Sequence, residues 1–357
     1  MTAAHELTRE SAENPSPRPP VFRTRDLSVH FRVDSPEGKV TVRALDGIDF
    51  TLHEGEIAAL VGESGSGKTT LARVFSLIYA PTGGEVEVAG VPLKKAAKDE
   101  RRYYRDVQLI FQDPFNSLNA LKKIRHILER PVKIHKMASG KKAVTAKIHE
   151  LLERVNLSPA SRYIDRYPTD LSGGQRQRIA IAKSLAVNPK VLLADEPTSM
   201  LDASIRLEVL NLLTDLRESQ GLAVLYITHD IASARYISDR INVMYGGRII
   251  ESGPTEQIVN DPVHPYTRLL IDAAPDPAHY KGSGHSAAVS TSSAAPVDNS
   301  VEVVGCRFAN RCPLVRPECT SAPIPRYTSP DGREVLCVLG DERPDFTPPP
   351  NAATAAR

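Results

Sequence analysis

Eight residues, GESGSGKT at 62–69, leave few folds open to this chain. They follow the apolar run EIAALV and precede TLARVFSLI, a strand-like and a helix-like segment respectively. Strand, glycine-rich turn and helix in that order, with G-x-x-x-x-G-K-[ST] matched in full, predict a phosphate-binding loop. Glycines let backbone N–H groups wrap phosphate oxygens, and the helix N-terminus adds partial positive charge. The candidate nucleotide-binding residues are Gly62, Ser64, Gly65, Ser66, Gly67, Lys68, Thr69 and Thr70. Lys68 is expected to reach the β- and γ-phosphates, and Thr69 to offer its hydroxyl to Mg²⁺.

Downstream, VLLADEP at 191–197 reads as a buried strand ending in two carboxylates. Asp195 can hold Mg²⁺, and Glu196 can take a proton from an attacking water. The strand AVLYITH ends at His229, which by itself is more often a helix cap or packing residue than a catalytic one. Strand-like runs occupy 21–62, with another at 85–90. Residues 113–170 change to helical spacing: Ile148, Leu151, Leu152 and Val155 fall on one face. Helices near 173–187 and 203–219 alternate with strands, and a hairpin turns at Gly246-Gly247. Alternation of this kind implies a mainly parallel sheet and an α/β fold. In LSGGQRQR, 171–178, Ser172 reads as an N-cap, with Ile179, Ala182 and Ala186 inward and Arg176 and Arg178 outward.

Composition bounds the function. No run approaches the ~20 apolar residues of a membrane span. The first twenty residues are polar and Pro-rich, unlike a signal peptide, so a cytoplasmic location is expected. Net charge is +2, from 45 basic and 43 acidic residues, which gives no electrostatic case for nucleic acid as a partner. Tails at 1–20 and 346–357 and a linker at 274–300 are expected from their Ala, Ser, Pro and Gly content. The four cysteines, Cys306, Cys312, Cys319 and Cys337, fall in one segment, 301–345. Four thiolates suit Zn²⁺ or an iron–sulfur cluster, yet their spacing matches neither the usual zinc pairs nor the ferredoxin run. Free thiols in a packed lobe remain the third reading.

Taken together, GESGSGKT, FQDP, LSGGQRQR, VLLADEPTSMLD and ITHD resemble the nucleotide-binding subunits of ATP-binding cassette (ABC) transporters over about residues 21–275. The resemblance implies a P-loop NTPase fold with an antiparallel β subdomain, an inserted helical subdomain at about 113–172, and an ATPase domain spanning 21–273. It also implies roles. Phe31 would stack on adenine, although a strand aromatic in the core reads the same way. Gln112 would contact Mg²⁺ or the attacking water, Glu196 would be the general base, and His229 would touch the γ-phosphate. Asp202 matches the D-loop aspartate. Ser172, Gly173, Gly174 and Gln175 would bind ATP held by a second, identical or homologous subunit in a head-to-tail dimer.

FQDPFNSLN, HPYTRLL and the tail CRFANRCPLVRPECTSAP look like oligopeptide/dipeptide importer ATPases in particular. That resemblance implies two transmembrane permease subunits, an extracellular solute-binding protein and a peripheral place on the cytoplasmic face of the membrane. Some members of the group carry a [4Fe–4S] cluster in this tail. Met200 and Ala120 depart from the group's usual alanine and proline, and the same subfamily serves oligosaccharides and nickel. The other readings are a soluble ABC ATPase acting on nucleic acid or the ribosome, and a hydrolytically dead subunit. A single set of motifs, with Lys68, Asp195, Glu196 and His229 all present, argues against both.

Overall fold

The computed structural model describes residues 18–36, 38–113, 117–274 and 298–348. Most of the expected tails and linker lie outside these, as do Pro114, Phe115 and Asn116 of FQDPFNSLN. At the margins order extends further than composition implied. The first strand begins at Pro20, Asn299 bonds back to residue 65, and Phe346 is buried.

Two long strands, β1 (Pro20–Ser35) and β2 (Gly38–His53), pair antiparallel. With β4 (Gly83–Val88) and β5 (Val91–Pro92) they form a sheet in the order β2-β1-β4-β5. The second sheet has five strands in parallel: β9 (Arg240–Tyr245), β3 (Ile57–Val61), β8 (Ala223–Thr228), β7 (Val191–Asp195) and β6 (Val107–Ile110). Antiparallel β10 (Arg248–Pro254) extends it beyond β9, followed by β12 (Glu334–Val335) and β11 (Tyr327–Thr328). The last two strands come from the cysteine segment. The lobe therefore completes the edge of the main sheet by pairing Glu251 with Val335 and Ser252 with Glu334.

The apolar continuity of the central strands follows from burial on both faces. Successive side chains alternate, so Ile57, Ala59 and Val61 enter one core while Ala58 and Leu60 enter the other. The helix after the phosphate loop, Lys68–Phe75, lies in the second core with the antiparallel sheet. There Phe75 stacks on Phe22 at 4.2 Å and leans on Phe50 at 5.9 Å. The first core holds the helical subdomain, with helices Ile124–Ile134 and Lys141–Arg154. Ile148, Leu151, Leu152 and Val155 are buried there, as their spacing predicted.

The helix Gly173–Leu185 starts at the predicted cap. Ile179, Ala182 and Ala186 are buried, but so is Arg178, against the outward placement expected of it. Its guanidinium donates to the carbonyls of Val155 and Asn156, where the helix Lys141–Arg154 ends, and to Glu208. Carbonyls at a helix end lack intrahelical partners and accept readily from a guanidinium that has left water. Arg178 thus ties the subdomain to the long helix Ala203–Gln220.

Candidate nucleotide site

The predicted site residues lie far apart in sequence, and the parallel sheet gathers them. The phosphate loop follows β3, Gln112 lies just beyond β6, Glu196 directly follows β7, and His229 directly follows β8. All four stand at the carboxyl ends of parallel strands, where open α/β sheets place ligands.

Within the loop, Gly62 and Gly67 are required by close approach. A Cβ on Gly62 would stand 2.1 Å from the Met244 carbonyl oxygen, and one on Gly67 2.4 Å from that of Ala44. Gly67 also sits at φ +107°, in the region side chains disfavour. Lys68 folds back, donating to the carbonyls of Gly62 (2.7 Å) and Glu63 (2.8 Å). Burial lowers its pKa, and the charges of Glu196, Asp195 and Glu63 work against that shift. The Ser66 hydroxyl is buried without a hydrogen-bond partner among the described residues, a polar atom suited to an oxygen ligand. Ser64 and Gly65 are exposed, and Thr70 is half-buried on the first turn of the helix.

Thr69 donates its hydroxyl to Asp195 at 3.1 Å. Burial raises the pKa of Asp195, as does the neighbouring Glu196; Thr69, Arg73 and Lys68 only partly offset this. Two hard oxygen donors with uncompensated negative charge fit Mg²⁺. Glu196 has φ +47°, an uncommon backbone for a side chain of its size. Its carboxylate accepts from Gln112 Nε2 at 2.8 Å and lies 3.5 Å from His229 Nδ1. The His229 side chain is 60% exposed, so this pocket opens to solvent.

The remaining candidates lie elsewhere. Ser172 and Gln175 form a reciprocal capping box, each side chain bonding the other's backbone N–H. Among the described residues, Ser172, Gly173, Gly174 and Gln175 make no hydrogen bond to the phosphate loop. Gly174 is buried against the next helix: a Cβ there would stand 2.4 Å from Ile205 Cγ2. Asp202 is exposed at the N-cap of the helix Ala203–Gln220. Phe31 packs edge-on against Tyr79, ring centroids 5.1 Å apart. Met200 and Ala120 are exposed.

The sequence reading missed a second set of contacts behind the loop. Tyr266, from HPYTRLL, accepts the Glu63 N–H at 2.9 Å, and Arg311 grips the Glu63 carboxylate. HPYTRLL stood out as a motif, but nothing in its spacing pointed at residue 63.

All four cysteines line one small cavity with His264. Burial pushes the thiols of Cys306 and Cys312 up and that of Cys337 to about 12, which favours protonated sulfur. The donor set is of the right kind for a sulfur-ligated centre. Among the described residues, no three or more His, Cys, Asp or Glu side chains are placed to bind a single metal ion.

Comparison with known proteins agrees with this geometry. The ABC transporter family matches residues 45–199, and the oligopeptide/dipeptide transporter C-terminal region matches residues 250–319. The di/tripeptide transport ATP-binding protein DppF of Pseudomonas aeruginosa is 41% identical over 89% of this chain and 97% of its own length. The putative oligopeptide transport ATP-binding protein YkfD of Bacillus subtilis is 40% identical over 90% of this chain and 96% of its own. Among solved structures, cbiO1 from Clostridium perfringens aligns at TM-score 0.60 and 27% identity, covering 68% of this chain and 92% of its own. The ADP- and phosphate-bound dimer of the ATP-binding cassette MJ0796 aligns at 0.59 and 29%, covering 66% and 98%.

Proposed function

The chain belongs to the ABC transporter ATP-binding subunits, in the oligopeptide/dipeptide branch, and from that premise we propose that it hydrolyses ATP to drive peptide uptake through separate permease subunits. The observation that carries the reading is the meeting of Gln112, Glu196 and His229 beside Lys68, Thr69 and Asp195. The loop's N–H groups, the Ser66 hydroxyl and Lys68 would take the phosphates, Lys68 exchanging two carbonyls for phosphate oxygens. Thr69 and Asp195 would hold Mg²⁺, which neutralises charge on the β- and γ-oxygens. A water fixed by Gln112 would attack the γ-phosphorus while Glu196 accepts its proton; the bond from the γ-phosphorus to the bridging oxygen breaks, and ADP departs. His229 would donate to the γ-phosphate.

The capping box takes up the N–H groups of Ser172 and Gln175, and those of Gly173 and Gly174 on the first helical turn would be left for phosphate on a second cassette. That supports a head-to-tail dimer of two cassettes, and the dimeric MJ0796 cassette gives it a precedent of the same fold. No helix among the described residues is long and apolar enough to cross a membrane, so transport needs partners that span it. We place the chain peripherally on the cytoplasmic face, working with two permeases and an extracellular solute-binding protein. The relatives are named for di/tripeptides and oligopeptides, which favours peptides over oligosaccharides or nickel. For the cysteine lobe we favour four reduced thiols as packing groups over an iron–sulfur cluster, because burial favours the protonated form of Cys306, Cys312 and Cys337.

Glu196→Gln tests the mechanism. ATP binding should persist, a closed dimer should accumulate, and turnover should fall by about 10²–10⁴-fold. Hydrolysis at the wild-type rate would remove Glu196 as the base.

A further inference from the structure

We propose that Arg311 is a positioning residue for ATP binding, holding the phosphate loop from the cysteine lobe through Glu63. The inference rests on the ATPase reading above. Arg311 and Glu63 are 248 residues apart, yet they meet as a parallel fork: the two terminal nitrogens lie 2.9 Å from the two carboxylate oxygens. A bidentate pair of this kind fixes orientation as well as charge.

Both partners are themselves held. The Arg311 guanidinium stands 5.8 Å from the Tyr245 ring centroid and 5.7 Å from that of Phe308. Cation–π contact of this sort keeps a guanidinium in one plane. Arg311 ends the short turn Ala309–Arg311, which is sealed at its start by the Ala309 N–H donating to the Cys306 carbonyl. On the other side, the Glu63 N–H is anchored on Tyr266.

Two more ties join the same segment to the same loop. Asn299 donates to the Gly65 carbonyl at 3.2 Å. Arg307 grips Asp46, whose N–H bonds Gly247, whose own N–H bonds the Ser66 carbonyl. Residues 299–311 therefore reach the loop directly at Glu63 and Gly65, and at Ser66 through Asp46 and Gly247.

The electrostatic consequence is specific. Glu63 carries the only carboxylate within GESGSGKT, and a free carboxylate there would repel the triphosphate. Arg311 pairs with it and holds it in one orientation. Without Arg311, Glu63 is left charged and mobile beside the ligand, so the loss should appear mainly in affinity.

The test uses the full chain, steady-state ATPase against ATP concentration, and direct binding of a fluorescent ATP analogue. Arg311→Ala should raise KM and Kd about tenfold, with kcat falling less than KM rises. Arg311→Lys, which keeps charge without the fork, should fall between Arg311→Ala and wild type. Adding Glu63→Gln to Arg311→Ala should recover part of the affinity, because it removes the stranded charge. Unchanged KM in Arg311→Ala would overturn the proposal. So would equal losses in Arg311→Lys and Arg311→Ala that track a lowered Tm, or a double variant worse than Arg311→Ala. Should Arg311→Ala not fold, Arg311→Lys alone and with Glu63→Gln carries the same comparison. Failure of the ATPase reading looks different: the wild-type chain would then neither bind nor hydrolyse ATP.

Discussion

Gly174 makes a quantitative case that a signature glycine can be a packing residue. A Cβ built there stands 2.4 Å from Ile205 Cγ2 and 3.4 Å from Ile205 Cδ1. Carbon atoms prefer about 3.5–4.0 Å, so more than about 1 Å of overlap must be relieved. Ile205 lies on the helix Ala203–Gln220, where β-branching leaves it one strongly preferred rotamer. Relief must then come from moving two packed helices, and overpacking of this kind costs about 1–3 kcal/mol. Gly173 is the control. A Cβ there meets only Leu201 Cδ2, at 3.7 Å, an ordinary contact. Both glycines occupy the first turn of one helix, so the gain in helix propensity from alanine largely cancels between Gly173→Ala and Gly174→Ala. The Tm difference, read by circular dichroism on nucleotide-free protein, should be roughly 2–10 °C in favour of Gly173→Ala. Ile205→Ala should abolish that difference, because it removes the opposing methyl. Equal Tm values for the two glycine variants would refute the steric reasoning. For function, the same geometry makes Gly174→Asp a mixed perturbation of packing and ligand contact. Gly173→Asp is the cleaner probe of the face presented to a second cassette: ATP binding should persist and hydrolysis by the dimer should fall.

Two further outcomes are expected. Burial tends to raise the pKa of Asp46, but the hydrogen bond and charge of Arg248, with the charges of Arg307 and His30, bring it below its usual range. A carboxylate lowered on folding adds stability that is complete above about pH 4 and lost as pH falls through the folded pKa. In a Tm–pH series, Asp46→Asn should flatten that acid limb relative to wild type; an identical limb would show that this ion-pair cluster contributes nothing. The second concerns the lobe. Protein purified anaerobically should lack visible iron–sulfur absorption and stoichiometric iron or zinc, whereas four iron per chain with broad visible absorption would restore the cluster.

What the sequence made legible was local or periodic. GESGSGKT is a contiguous pattern, β3 and β7 announce themselves by apolar runs, and Ser172 by its place before a helix. Glu196 was legible from the carboxylate pair that ends VLLADE, whereas Gln112 and His229 were readable only as members of an ordered motif set. Their meeting depends on strand order, which no single segment encodes. What escaped had no periodic trace. Arg178 looks like a surface residue until the helix end it caps is in place. Strand β12 is two residues long, too short for any alternation, so its pairing with β10 could not be foreseen. Sequence suggested that Gly174 is small for close approach to a ligand, and gave no sign of its close approach to Ile205.

That short β12 strand has one more consequence. Without it, β10 would end the sheet, and its unpaired N–H and C=O groups would face solvent as a template for another chain. Val335, Glu334 and the Leu336 N–H, which bonds the Ile250 carbonyl, occupy the middle of that strand. The cysteine lobe is therefore also a stopper against edge-to-edge growth, and a chain cut short before it would expose a sticky border where the intact protein has a closed one.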